Sequence, residues 1–275
     1  LFAEDFRSPL LMSWNLSMER QLGADWVARV AYIGNEGRYF LGAAENSREI
    51  NPAIYIPGAS TVANTQARRP YQEYSRIGLY ESTNTSRYHS MQLNVEKRFA
   101  RGLSVLASYT FSKKQDDYGW TTPDDIHFDW GLSREDVPHN FKFSNVWQLP
   151  EIQGNRVVNT ILNGWMLNSM VTWQSGFPFT VSSGRDNSFT GIGRDRADFL
   201  GGDPDLGSDR PHGEMVAQYF DTSKFVANAI GTFGNSGKNM LRGPRYFNTD
   251  VALLKSTRIG GRVDVQFRAE FFNIF

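Results

Sequence analysis

The sequence predicts an all-β fold: a segment of an antiparallel transmembrane β-barrel, about eight strands with long loops at one end. Three observations predict it. Apolar residues fall on every second position through runs of about ten residues, the connections between runs alternate between short and long, and charges inside the runs avoid the apolar parity. Successive side chains of a strand point to opposite faces, so each run has one apolar and one polar face. Strands of this length are about twice the commonest globular strand. When tilted they are long enough to cross a bilayer.

The elements follow in order. Residues 9–20 set Leu10, Met12, Trp14, Leu16 and Met18 against Leu11, Ser13, Asn15, Ser17 and Glu19. Residues 26–35 carry Trp26, Ala28, Val30 and Tyr32 on one parity, and residues 88–99 carry Met91, Leu93, Val95 and Phe99. Residues 103–112 set Leu103, Val105, Ala107, Tyr109 and Phe111 against Ser104, Leu106, Ser108, Thr110 and Ser112. The apolar row is Phe141, Phe143, Trp147 and Leu149 in 138–149, and Trp165, Leu167, Val171 and Trp173 in 164–175. Residues 246–255 contribute Val251 and Leu253, and 262–274 contribute Val263, Val265, Phe267, Ala269 and Phe271.

Short turns are expected at Gln21–Asp25, Ala100–Gly102 and Ser256–Gly261, with a moderate one at Pro150–Asn163. Long loops are expected at Glu36–Arg87, Lys113–Val137 and Gly176–Arg245. All short turns fall at one end of the strands and all long loops at the other. Transmembrane barrels have this layout, with short periplasmic turns and longer extracellular loops.

Charge depth provides an independent test. An outward Arg or Lys at the bilayer midplane costs roughly 2–4 kcal/mol, and little near the interface. Arg29, Lys142, Asp250, Asp264, Arg268 and Glu270 all sit on the polar parity. Lys97 and Lys255 share the apolar parity but lie beside short turns, where they can snorkel. Trp14, Trp26, Trp147, Trp165 and Trp173 lie on the apolar rows, several near strand ends, as an aromatic girdle requires. A soluble sandwich would show the same alternation. Strand length, loop asymmetry and charge depth together make outer-membrane lipid the expected solvent of the apolar rows.

Composition narrows the function. Lys+Arg and Asp+Glu both total 29, a net charge of +0, so there is no electrostatic case for nucleic acid. Zero cysteines exclude disulfides and thiolate metal sites. No stretch approaches the ~18 consecutive apolar residues of a spanning helix. The start LFAEDFRSPLL has neither a basic n-region nor a cleavage site, and is read as the start of an internal or processed segment. The first strand leaves the long-loop end and the eighth returns to it, so both chain ends are expected outside the cell. Phe275 is not read as a terminal aromatic signal, because Asn273 interrupts its row. Residues 1–275 are therefore expected to be one partial barrel domain without its closing strands.

Several segments then resemble one family. NTQARRPY (64–71), YHSMQLNVEKRF (88–99), GLSVLASYTFSK (102–113), DVPHNF (136–141) and SGFPFTV (175–181) are similar, in this order, to TonB-dependent outer-membrane receptors of the Oar-like type. GTFGNSGKNMLRGPRYFNTDVALLK (231–255) and FRAEFFNIF (267–275) continue the resemblance. These receptors are common in acidobacterial genomes and usually carry an N-terminal carboxypeptidase-regulatory-like domain. The resemblance implies a barrel of about 22 strands closed by an internal plug. It also implies ligand import powered by an inner-membrane energy-transducing complex, the ligand being unknown. No plug or TonB box is found in these residues.

Candidate ligand contacts lie on the long loops. Arg68 and Arg69 in the first loop suit an anionic ligand, or a structural pairing with Glu73. Tyr118, Trp120 and Trp130 in the second loop stand among carboxylates, which suits a sugar or a loop packed on itself. Arg185, Asp186 and Arg194 are candidates in the third loop. Asp186, Asn187, Asp195, Asp198, Asp203 and Asp205 have the oxygen chemistry of a calcium site, but no calcium-loop spacing fits and a turn-rich solvated loop is expected. Gly191-Ile192-Gly193 lacks the strand and helix of a phosphate cradle. His89, His127, His139 and His212 have no metal-ligand spacing, and His139 is expected to hydrogen-bond locally. The pairs Asp116–Asp117 and Asp124–Asp125 lack the burial that would tune an acid/base dyad. No catalytic residue, metal or cofactor is expected. Two alternatives stand beside the receptor reading: a self-contained small outer-membrane barrel acting as adhesin or pore, and a secreted soluble β-protein acting on carbohydrate.

Overall fold

The computed structural model describes residues 1–42, 47–259 and 262–275. Eight long strands dominate it: β1 (Leu10–Leu22), β2 (Trp26–Leu41), β3 (Ser82–Ala100), β4 (Leu103–Asp116), β5 (His139–Gln148), β6 (Trp165–Gln174), β7 (Tyr246–Ile259) and β8 (Val263–Phe271). They form one antiparallel sheet in simple sequence order, with a short strand at Gly131–Leu132 pairing beside the end of β4. Among the described residues β1 and β8 do not pair with each other, so the sheet is an open wall rather than a closed cylinder.

Register aligns the apolar rows across the whole wall. One continuous row runs Met18, Val30, Leu93, Tyr109, Phe141, Trp173 and Phe247, each directly opposite the next. Among the described residues no second layer covers it: Leu16 is 75% exposed and Met18 76%. An apolar face this large left open is what a strand wall presents to lipid, not to water. The polar interruptions of the outward rows of β5 and β6 satisfy each other, because Ser169 lies opposite Asn145 and its hydroxyl donates to the Asn145 side-chain oxygen. A paired polar group costs far less in an apolar medium than an orphaned one.

The inward rows carry paired charges. Arg29 pairs across the sheet with Glu19 at 2.5 Å, and Arg258 with Asp264 at 2.9 Å. Two cations on the outward rows, Lys97 and Lys255, reach past the apolar band at the short-turn end. Lys97 Nζ donates to the carbonyls of Ala100 at 2.9 Å and Leu103 at 2.8 Å. Lys255 Nζ donates to Thr257 Oγ1 at 2.7 Å and lies 6.0 Å from the Trp165 ring centroid. The Arg101–Gly102 turn between β3 and β4 uses two positive φ angles, 52° and 77°, the pattern of a tight two-residue hairpin. A side chain on Gly102 would meet the Gln148 carbonyl of β5 at 2.8 Å.

The structure corrects the expected boundaries at the long-loop end. β2 runs six residues further, β3 starts six residues earlier and β4 continues four residues, while at the short-turn end β7 also continues four. The apolar alternation stops where the bilayer stops, but the backbone ladder continues above it through polar sequence. At the long-loop end β8 stops at Phe271, before Asn273 adopts φ 50°. The turn expected at Ser256–Gly261 ends in residues 260–261, outside the described residues. The Pro150–Asn163 connection contains an unforeseen helix, α1 (Arg156–Leu162), capped by the Asn155 side chain accepting from Val158 N at 3.0 Å. Its seven residues are too few for periodicity to reveal it.

Candidate functional site

The three long loops are not structureless. They interlock into one layer over the inward face of the wall, and buried polar contacts hold them there. Arg48 of the first loop donates to the Pro123 carbonyl of the second at 2.7 Å and stacks over Trp120 at 5.6 Å. First and third loops meet where Ala53 N donates to the Thr190 carbonyl at 2.9 Å and Tyr55 stacks on Phe189.

Second and third loops are joined by opposite charges. Acids of the second loop face bases of the third in three ion pairs: Asp116 with Lys238, Asp129 with Arg196, and Asp136 with Arg242. All three carboxylates are buried. Asp129 also accepts from Thr121 N at 2.6 Å and Thr121 Oγ1 at 2.7 Å, and the Arg196 guanidinium lies 4.5 Å from the Phe128 ring centroid. Isolated buried charges are expensive, so the carboxylates stay buried because each has its cation and further donors.

Beneath this layer lies a cavity of about 670 Å³, within the range of small-molecule sites. Ser86, Lys114 and Asp116 line it from the inward rows of β3 and β4, and Tyr118, Thr121, Arg194 and Asn239 from the loops. Phe40 reaches it because the β2–β3 register shifts between Gly37 and Phe40, with Tyr39 at φ 60°. A bulge re-aims a strand's side chains, and here it turns Phe40 from the outward parity to the inward one. A second cavity of about 270 Å³ continues down the inward face, lined by Tyr88, Gln92, Thr110 and Asn140. Lys114 and Glu135 line both and form an ion pair with each other. Burial, and then the Asp116, Asp117 and Glu135 carboxylates, push the Tyr118 phenol above its ordinary pKa of 10.

The candidates from the sequence divide between these places. Tyr118 and Arg194 line the larger cavity. Arg194 Nη1 donates to the carbonyls of Gly119 and Trp120, the latter at 3.2 Å. Trp120 is 6% exposed and lies under Arg48, inside the layer. Trp130, 37% exposed, does not line the cavity and stands 5.8 Å from Arg87. Arg68 and Arg69 are buried. Arg68 donates to the carbonyls of Ile54 and Phe189, and Arg69 to that of Asn51. The carboxylate beside Arg69 is Glu49, at 3.9 Å, not the Glu73 that sequence proximity pointed to. Arg185 is exposed.

The Asp-rich stretch of the third loop builds turns. Asp186 accepts from Gly191 N and Ser188 Oγ, both at 3.0 Å, and Asp195 from Ser188 N at 2.7 Å and Asn228 Nδ2 at 3.0 Å. Asp203 and Asp205 accept from backbone amides two residues on, at 2.9 Å and 2.8 Å. Among the described residues no three His, Asp or Glu side chains come together as a metal site. His139 accepts or donates at 2.7 Å with the Tyr109 hydroxyl, and His89 does the same with Tyr32. The charged partners Arg196, Lys238 and Arg242 were missed because their role exists only once two distant loops meet. The one trace in the sequence is compositional: Asp recurs in 116–136, and Lys or Arg in 238–245.

The match to a family model agrees with this architecture. No curated protein matches the chain. Among solved structures, the crystal structure of the outer membrane transporter YddB from Escherichia coli aligns with 99% of the chain at 9% identity and a TM-score of 0.46. The chain spans 29% of that protein's chain. The family model described as outer membrane beta barrel domain matches residues 1–275. The chain therefore belongs to the outer membrane beta barrel domain family, and its place is the outer membrane.

Proposed function

We propose that the chain is part of the barrel wall of a TonB-dependent receptor, which captures a ligand beneath its external loops and passes it through the lumen without chemical change. The observation that carries this reading is the cavity of about 670 Å³ on the inward face, roofed by interlocked loops and continued by a second cavity toward the lumen. A site of this size, with aromatic, hydroxyl and charged groups converging on it, suits a small polar ligand. The resemblance of residues 64–71, 88–99, 102–113, 136–141, 175–181, 231–255 and 267–275 to Oar-like receptors supports the same reading. In it, residues 1–275 are one wall section. The free edges of β1 and β8 pair with further strands of the full-length protein, a plug fills the lumen, and an inner-membrane complex supplies the energy.

The test uses the full-length protein. In planar bilayers a plugged receptor shows no steady conductance, and from cells it co-purifies with the periplasmic part of the energy-transducing complex. An open, ohmic pore with no such complex would favour the pore alternative instead.

A further inference from the structure

We propose that the outer rim of the wall at β2–β4 holds a phosphorylated lipid headgroup of the external leaflet, gripped by Arg87 and Lys113. Both residues lie on the outward parity. Lys113 is directly opposite His89, and Arg87 is opposite Gln115, so the two cations are diagonal neighbours on adjacent strands. Such neighbours lie about 7–8 Å apart at the backbone, within joint reach of one phosphate.

Their depth is set by the strand itself. Lys97 marks the inner interface, because its ammonium reaches back to the turn carbonyls. From Lys97 to His89 is eight residues, about 27 Å of strand. At a tilt of ~40° that is roughly 21 Å along the membrane normal, close to the height of a barrel's apolar band. His89 and Lys113 therefore stand at the external headgroup level, and Arg87 just above it. Below them the outward surface is open and apolar, with Tyr32, Met91, Leu93 and Phe111 all exposed, as acyl chains require.

The charge balance is local. Among the described residues, the outward rows here also carry Arg38, His89 and a single acid, Glu36, which lies opposite Arg87 but is held by Arg38 at 2.7 Å. Among the described residues neither Arg87 nor Lys113 makes an ion pair. Trp130 comes over from the second loop to within 5.8 Å of the Arg87 guanidinium and steadies it on the outer side of the wall. The outward rows of β5 and β6 carry no Lys or Arg, so this is a site and not a uniform ring.

Native mass spectrometry of the full-length protein in detergent tests the proposal. The probes are a diphosphorylated, six-chain glucosamine-disaccharide lipid, the same lipid without phosphates, and inorganic phosphate. The phosphorylated lipid is expected to bind at least about thirtyfold more tightly than its dephosphorylated form, from two cations at an anionic headgroup. The double variant Arg87→Gln/Lys113→Gln is expected to lose that preference, the single variant Lys113→Gln to lose part of it, and Arg101→Gln at the opposite end to keep it. Equal binding of the two lipids, or undiminished preference in the single variant, would overturn the proposal. So would displacement of the lipid by inorganic phosphate, which would mark a small-anion site.

Discussion

Replacing Arg196 with Ala tests whether the loops form one layer. Arg196 and Asp129 have side chains only 5% and 2% exposed, and the guanidinium also donates to the Ser236 and Phe128 carbonyls at 3.2 Å each. Removing it leaves the Asp129 carboxylate buried without its cation, a loss of about 3–5 kcal/mol. Asp129 keeps its two bonds from Thr121, at 2.6 Å and 2.7 Å. The expected cost is therefore near the lower limit, about 3 kcal/mol. That converts to roughly a hundredfold rise in the opening equilibrium of the second and third loops. Hydrogen exchange read by mass spectrometry on the detergent-solubilised protein measures it. Amides of 119–130 and 194–198 should exchange about a hundred times faster, while the β3–β4 ladder keeps its protection. Replacing the pair together, Arg196→Met with Asp129→Leu, should recover part of the protection, because no stranded charge remains while Thr121 N and Oγ1 lose their acceptor. Unchanged exchange in Arg196→Ala would refute the reasoning. So would equal loss of protection in the β3–β4 ladder.

Three further outcomes follow from the same geometry. Leu93→Arg, midway along the outward row of β3, should destabilise the protein by roughly 2–4 kcal/mol in denaturant titration in micelles. Its inward neighbour variant Asn94→Arg should be nearly neutral in the same titration. Tyr118 should titrate later than ordinary tyrosines, so Tyr118→Phe removes a late phase from the absorbance titration at alkaline pH. Because its folded pKa is raised, its contribution to stability is complete below pH 10 and is lost as pH rises through the folded value. Gly176→Ala puts a methyl group 1.8 Å from the Gly243 carbonyl, which is backbone and has little room to yield. It should cost about 1–3 kcal/mol and speed proteolysis within 177–242.

Much of the wall was legible because its physics is repetitive. Alternation in 103–112 or 164–175 reports which face meets lipid, and every residue of the run repeats the message. Strand ends above the bilayer were not legible, since residues such as Ser82–Arg87 and Lys113–Asp116 have no solvent contrast to mark them. His139 was read correctly as a local hydrogen-bonding residue because it sits at a strand entry, where a Tyr109 hydroxyl stands within reach. The loop site was mostly hidden. Arg68 and Arg69 look like ligand grips in sequence, yet their donors go to carbonyls up to 121 positions away. Trp120 and Trp130 are ten residues apart and look alike, but one is buried under Arg48 and the other stands on the outer rim. Such differences depend on which loops meet, and no local pattern encodes that.

The central claim is that the apolar rows meet hydrocarbon and the polar rows meet an aqueous lumen. The chain has no cysteine, so single cysteines can be placed at will. Spin labels at Leu93 and Asn94 of the full-length protein in bilayers test the claim most directly, through relaxation by oxygen and by a water-soluble nickel complex. Oxygen should dominate at 93 and nickel at 94, with the same alternation at Tyr109 and Thr110. Equal accessibility at neighbouring positions, or nickel access along the outward row, would contradict it.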